Sequence, residues 1–331
     1  MAPRDRVTFR FMATPHDANL SGEFVSAGSI MEWIDKAGYA CAVGWSSAYC
    51  VTAYVGNVHY DRPINPGNVV EASAQIIHTG RTSMHVLVRL ASSDVRHEDY
   101  QPAMHCLMVF VAVDEHGTPT QVPHWKPRSV EDETLSRNAQ QRVAVRQAIH
   151  TDMRQATFSD AGTAPRTTLR FLALPGVANF SGKAHGGTVM RWINEAAYVC
   201  AVGWSSDRAA VTYTGGIHFY QPIRIGDIVE VEARLIHTTS DSMHMSVHVR
   251  SSHPGRADQS VLNTQCVTIF AERAPHDRGG IRELELISQE DRALDQLARR
   301  LVAKRATLPR VPDSAPMDVL PSAGVNSDTL T

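Results

Sequence analysis

No run of apolar residues in this chain approaches the ~18 that a membrane-spanning helix requires, so membrane insertion is not expected. Charge of one sign is not in excess: 32 Lys and Arg stand against 34 Asp and Glu, a formal net charge of −2. The general basic field that nucleic acid selects for is lacking, and no nucleic-acid partner is expected. Cysteine is scarce, with five in 331 residues. Each of the pairs Cys41/Cys200 and Cys106/Cys266 occupies one position of a repeat and lies among apolar neighbours. That is the pattern of buried free thiols rather than of a disulfide framework, and it points to a reducing compartment, the cytoplasm. The 16 histidines show no ligand spacing with the cysteines, so no metal is expected. His244 and His248 alternate along one strand and are expected on a solvated face. No apolar segment follows Met-Ala-Pro-Arg-Asp-Arg at the start, so no secretory leader is expected.

What is present is a duplication. Cys41-Ala-Val-Gly-Trp-Ser-Ser47 recurs as residues 200–206, an offset of 200 − 41 = 159. Ala18-Asn19-Leu20-Ser21-Gly22 returns as Ala178-Asn179-Phe180-Ser181-Gly182, and Met31-Glu32-Trp33-Ile34-Asp35 as Met190-Arg191-Trp192-Ile193-Asn194. With 43% apolar and 20% charged residues, each half can bury a core of its own.

Each copy reads as a short strand (Val7–Thr14, Thr167–Leu174), a polar loop, one long helix (28–43, 187–202) and a β-rich remainder. In the helix, Ile30, Trp33, Ile34, Ala37, Gly38 and Cys41 recur at helical spacing. The strands that follow are Val51–Tyr60, Val69–Thr79, Ser83–Ser92 and Ala103–Val113, with Val211–Phe219, Ile228–Thr238, Ser242–Ser251 and Asn263–Ala271 in the second copy. Met243, Met245, Val247 and Val249 share one face by period-2 alternation. Val130–Thr151 reads as a linker helix, Glu283–Arg305 as an amphipathic helix, and Leu308–Thr331 as a disordered tail. The domain boundaries expected are 1–122, 123–165, 166–282 and 283–331.

The order Asn-x-Ser-Gly, His185-Gly186-Gly187, a helix with an acid or amide two turns in, Val-Thr, Pro-Ile and Gly-Asp, much of it present twice, resembles the hotdog-fold acyl-CoA thioesterases. The duplicated layout resembles double-hotdog cytosolic acyl-CoA hydrolases. The resemblance covers about residues 7–113 and 167–272 and excludes the linker and tail. It implies an α+β fold of tandem hotdog domains, each a long central helix wrapped by an antiparallel sheet, paired as an intramolecular pseudo-dimer. It implies hydrolysis of acyl-CoA at a seam between the two units, a part in lipid metabolism, no cofactor, and a homotrimer that covers apolar surface on the outside of the joined sheet.

The chemistry fits these residue types. Thioester hydrolysis needs a carboxylate as base or nucleophile and donors for the oxyanion, which a helix N-terminus supplies. The copies have split the motif. Copy one has Asp35 but reads Val25-Ser26-Ala27-Gly28 in place of His-Gly-Gly; copy two has His185-Gly186-Gly187 but Asn194 in place of the acid. Glu195 corresponds to Lys36, a surface position, and is rejected as a base. The site expected therefore joins Asp35 to Asn179, with the amides of Ala27 and Gly28 as the oxyanion hole. Asn19, His185, Gly186, Gly187 and Asn194 are expected together at the opposite seam, without a base. His185 reads as a loop-ordering residue, and Arg81, Thr82 and Ser83 as a weaker CoA contact. Two rivals stand beside the hydrolase: a non-catalytic acyl-CoA-binding protein, and a hotdog enoyl-CoA hydratase or dehydratase. The second needs an Asp/His pair, and no Asp-x(4)-His occurs at either helix.

Overall fold

The structure is a computed structural model and describes residues 4–97, 99–272 and 281–309. The first copy comprises β1 (Arg6–Met12), α1 (Ala27–Ser46), β2 (Tyr49–Val55), β3 (Val58–Tyr60), β4 (Val69–Thr79), β5 (Ser83–Ser93) and β6 (Gln101–Val113). Helix α2 (Val130–Arg154) links it to β7 (Arg166–Leu172), α3 (Gly186–Trp204), β8 (Ala209–Phe219), β9 (Ile228–Thr238), β10 (Met243–Ser252) and β11 (Val261–Glu272); α4 (Gln289–Ala306) follows. The expected strand Val51–Tyr60 is broken in two. The Gly56 amide donates to the Leu107 carbonyl at 2.7 Å, and a Cβ at Gly56 would lie 2.9 Å from that oxygen. The backbone turns aside there because glycine allows so close an approach. The expected tail lies, from residue 310 onward, outside the described residues.

All pairings between strands are antiparallel, in one sheet of order β1-β4-β5-β6-β2-β8-β11-β10-β9-β7, with β3 against β6 and β8. The halves join where Tyr54 and Val55 pair with His218 and Ile217, and Val58 and His59 with Thr214 and Tyr213. The sheet curls around α1 and α3. Their apolar stripes, with Ile34, Ala37, Ile193 and Ala196, share one core with Met243, Met245, Val247 and Val249. Trp33 packs edge-on against Phe11, and Trp192 against Phe171, with ring centroids 4.9 Å apart in both pairs. All five cysteines are buried free thiols; burial pushes the Cys41 thiol up to about 12 and that of Cys200 to about 11.

The outer face of the inner strands is covered, while β1 and β7 at the edges of the sheet stay exposed. Leu135 and Ala139 of α2 pack on Ile77 and Leu87. Ile149 and Met153 of α2, with Leu294, Leu297, Ala298 and Leu301 of α4, pack on Ile236 and Val267. Ser288 caps α4 reciprocally with Asp291, and His237 meets Asp295 at 2.6 Å. His244 and His248, expected on a wet face, are each 5% exposed. Phe158 stacks on His248 at 3.7 Å, and burial holds both imidazoles down at about 3. Alternation along β10 correctly separates its two faces. It cannot tell water from a covering helix, and here the covering segments lie far away in sequence. The homotrimer expectation rested on an open apolar sheet face; in this chain α2 and α4 occupy that face.

Because Leu301 is fully buried among Ile236, Val267 and Leu297, Leu301→Ala should destabilise the chain by about 2–5 kcal/mol. Urea denaturation reads the loss. A change under about 0.5 kcal/mol would mean that α4 does not hold this position in solution.

Candidate active site

Two glycines fix how α1 and α3 meet. A Cβ on Gly28 would fall 2.6 Å from the Arg191 side chain, and one on Gly187 would fall 2.9 Å from the Glu32 Cα and 3.2 Å from the Asp35 Cβ. The start of each helix thus lies along the second turn of the other, so the pair is antiparallel. A side chain at either glycine would wedge the helices apart. Around the contact, Thr188 Oγ1 donates to Glu32 at 3.2 Å, and Arg191 reaches the same carboxylate at 3.4 Å.

Asp35 sits at this contact, 1% exposed. Its Oδ1 accepts from Thr52 Oγ1 at 2.8 Å, and its Oδ2 from the Gly187 amide at 2.8 Å. His185 Nδ1 lies 2.9 Å from Oδ2. His185 is the N-cap of α3. Its Nδ1 is 3.3 Å from the Gly187 amide, the longer of that amide's two contacts, so the coherent arrangement has Nδ1–H and Gly187 N–H both donating to Asp35. The hydrogen bond to Asp35 raises the His185 pKa above its ordinary value, against the lowering effect of burial. The carboxylate also lies at the positive end of the α3 dipole.

Asn179 lies on the loop that leads to His185. Its Oδ1 accepts from the Ser181 amide (3.0 Å), Ser181 Oγ (2.9 Å) and the Lys183 amide (3.0 Å). Ser181 Oγ is 3.0 Å from the Tyr49 hydroxyl of the first copy, so this loop is tied across the seam on which Asp35 lies. The Asn179 Nδ2 has no partner among the described residues.

The expected assignment of loops to seams is corrected in part. His185, Gly186 and Gly187 belong to Asp35, not to Asn194; a Cβ on Gly186 would lie 3.2 Å from both Asp35 Oδ2 and Thr52 Oγ1. Ala27 and Gly28 belong to the other seam, where Gly28 abuts Arg191. The expectation took oxyanion donors from the start of Asp35's own helix. Seven residues of rise put that start about 10 Å away, whereas an antiparallel partner brings its own N-terminus alongside. At the second seam Asn194 is buried; its Nδ2 donates to the Met190 carbonyl at 3.0 Å and its Oδ1 accepts from Thr214 Oγ1 at 3.4 Å. Ser26, at His185's repeat position, caps α1 by accepting from Ser29 N. Asn19 Oδ1 accepts from Ser21 Oγ at 2.9 Å.

Thr52 escaped the sequence reading. The signal was there, since Val-Thr follows both helices, but that match points to Thr212, whereas Thr214 is the residue that reaches Asn194. Arg81, Thr82 and Ser83 form the β4–β5 turn, where the Arg81 and Thr82 carbonyls accept from Val122 and Ala112 amides. The same turn region meets the end of α1 through Trp125 N to Thr79 Oγ1 and Trp45 Nε1 to the Pro123 carbonyl, both 3.0 Å. The structure does not bring these three residues to Asp35. Among the described residues no group of three or more His, Cys, Asp or Glu side chains could hold a metal ion.

A family profile described as the thioesterase superfamily matches residues 22–97 and 181–257. An uncharacterised acyl-CoA thioester hydrolase of Zymomonas mobilis is 32% identical over 124 residues, 37% of this chain and 82% of that protein. The chain belongs to the thioesterase superfamily. Acyl-coenzyme A thioesterase 11 of Mus musculus is 24% identical to this thioesterase-superfamily chain over 253 residues, 72% of the chain and 42% of the mouse protein; the chain thus spans less than half the length of that relative. A structure of a putative oleoyl thioesterase from Lactobacillus plantarum superposes with a TM-score of 0.58 at 8% identity, covering 83% of this chain and 99% of that one. The shared fold is therefore the tandem hotdog, both units in one chain.

If Asp35 is what raises the His185 pKa, then Asp35→Asn should return it toward or below ~6.5, the ordinary imidazole value. The sign follows from charge: the neutral amide no longer favours the imidazolium, and burial still opposes it. An NMR titration of the His185 ring protons reads the change. An unaltered midpoint in the folded variant would remove the Asp35–His185 pair from the site.

Proposed function

We propose that the chain hydrolyses acyl-CoA thioesters to the free acid and CoA, at the seam where Asp35 meets the start of α3. The observation that carries this reading is the buried carboxylate held by three donors, Thr52 Oγ1, Gly187 N and His185 Nδ1. A carboxylate offers about four lone-pair directions; three are taken, which fixes its plane, and one is left for water. Asp35 takes a proton as that water attacks the thioester carbon. The oxyanion is met by the Gly186 amide, which as a first-turn N–H has no partner within its helix, and by the Asn179 Nδ2. The C–S bond then breaks, and the proton passes to a thiolate of pKa near ~8.5, a leaving group that needs little help. Asp35 and Asn179 act at the reacting atoms in this reading; His185 and Thr52 position the carboxylate.

The enoyl-CoA hydratase reading gains an Asp–His contact across the seam that no sequence spacing announced. The two side chains are hydrogen-bonded to each other, however, and form one unit rather than the separate acid and base that neighbouring carbons require. An acyl-CoA-binding role without turnover belongs more naturally to the second seam, where Asn19 and the first-turn amides of Ala27 and Gly28 offer donors and Asn194 stands in place of the carboxylate.

We further propose the cytoplasm as the compartment, which five buried free thiols support, and a part in lipid metabolism. For the assembly we propose a homotrimer built through loop tips and edge strands, since the middle of the outer sheet face is already covered by α2 and α4. Leu20 and Phe180, at equivalent loop tips, are 89% and 92% exposed, and Met12 and Leu172 on the edge strands β1 and β7 are about half exposed. Light scattering at micromolar concentration should give three chain masses; a stable monomer rules the trimer out.

Asp35→Asn, folded, should lower CoA release by about 10²–10⁴-fold, followed with a thiol reagent. Asn179→Ala should cost more than Asn19→Ala, because only Asn179 sits on the loop tied to Asp35's seam. Turnover near that of the parent in Asp35→Asn, or equal effects of the two Asn variants, defeats this site. Hydration of an enoyl-CoA without CoA release selects the hydratase.

A further inference from the structure

The layer between the sheet and its covering helices holds an unusual concentration of cations. Arg142, Arg146, His150 and Arg154 of α2 are spaced four apart and so share one face of the helix. That face lies on aromatic side chains of the sheet. The Arg146 guanidinium is 4.9 Å from the Tyr54 ring, Arg154 is 4.9 Å from Tyr220, and the His150 and His218 rings are 4.3 Å apart. From α4, Arg305 lies 4.7 Å from Tyr213.

Three other cations near these helices have carboxylates. Lys304 meets Asp152 at 2.6 Å, Arg299 meets Asp295 at 2.9 Å, and Arg234 meets Glu290 at 2.5 Å. Arg142, Arg146 and Arg305 have no carboxylate partner among the described residues. Their charges converge all the same, for all three act on the phenol of Tyr54. Arg142 gives one Nη2 hydrogen bond to the Pro309 carbonyl. The Arg142 Nε and the Arg305 Nε and Nη2 are buried and unpartnered. Between α2 and the sheet is a cavity of ≈ 20 Å³ lined by Tyr54, His85, Arg142, Arg146 and Leu308 among others. His85 stays neutral, its imidazole held down at about 3 by burial and by Arg146, so it adds an N–H donor without adding charge.

Guanidinium groups withdrawn from water without a counter-charge are costly, and so are their unmade hydrogen bonds. Cation–π contact with tyrosine offsets part of this, not the unmet N–H groups. We propose that the cavity between α2 and the sheet is an anion site that takes a small oxyanion of phosphate type on Arg142 and Arg146, flanked by Arg305. The planar N–H forks match phosphate oxygens, and the volume admits one tetrahedral group, which a coenzyme could supply only with its nucleoside left outside the cavity. The site is on the opposite face of the sheet from Asp35. Its effect is on how firmly α2 and α4 hold to the sheet.

The test is calorimetric titration of the full chain with inorganic phosphate in chloride buffer at constant ionic strength. Binding to one site is expected, weakened at least ~10-fold in Arg142→Gln and in Arg305→Gln, and unchanged in Arg137→Gln, an exposed arginine of the same helix. Arg142→Lys, which keeps charge and bulk but loses the fork, should fall between; it covers the case in which a glutamine variant does not fold. No saturable heat up to ~10 mM phosphate, or equal affinity in the parent and the Arg142 and Arg305 variants, overturns the proposal. A second titration in the presence of CoA separates the sources. Competition assigns a coenzyme phosphomonoester, lack of it assigns free phosphate, and either supports the site.

Discussion

A carboxylate buried at the first turn of a helix from the other half of the chain ties this molecule together. Asp35 contributes the charge, α3 contributes the Gly187 N–H and the positive end of its dipole, and His185 adds a second donor to the same oxygen. None of this works unless α3 begins within van der Waals reach of α1. That approach is possible because residues 186 and 187 lack side chains. The glycines set the distance, the distance sets the hydrogen bonds, and those bonds hold one carboxylate plane in a dry place. A charged group this deeply buried is tolerated because its donors replace the water it lost.

The second seam shows what duplication permits. Once both units reside in one chain, only one of two pseudo-equivalent seams needs its acid. Asn194 has kept the shape of Asp35 but turns its amide inward, to the Met190 carbonyl and Thr214. Ser26 stands where His185 stands in the other copy, and a serine is a better N-cap than a histidine. Arg191 leans on Gly28 where Glu32 meets Gly187. The acid, its histidine partner and the flanking charge have thus all changed at one seam. The helices still pack, because each replacement satisfies its own polar atoms locally.

How much of this was legible in the sequence depends on the range of the interaction. The duplication, the long apolar helices and most strands follow from periodicity and repetition, which act over a few residues. Asp35 and Asn179 were singled out because both copies could be compared at fixed offsets. Pairing His-Gly-Gly with Asp35 required the relative direction of two helices, which no local pattern encodes; assuming that a helix serves its own carboxylate sent both glycine motifs to the wrong seams. Thr52 was hidden by a register change, since the matching dipeptide in copy two does not supply the matching contact. The wet face assigned to His244 and His248 failed for a related reason. Alternation marks two faces of a strand, and what covers each is decided by segments a hundred residues or so away in the chain.

Those covering segments differ from the inner core in kind. Inside, α1 and α3 meet the sheet through Ile, Ala, Met and Trp. Outside, α2 and α4 meet it through arginine on tyrosine, histidine on histidine and a few apolar clusters. An aliphatic contact holds with little regard to angle, whereas a guanidinium over a ring or a histidine against Asp295 holds in few orientations. The outer layer therefore fixes where α2 and α4 lie along the sheet more than it adds to burial. Position matters there because α2 is the only described connection between β6 and β7. Its seat touches β4 of the first copy and β8 of the second, so it spans the join that the β2–β8 pairing makes.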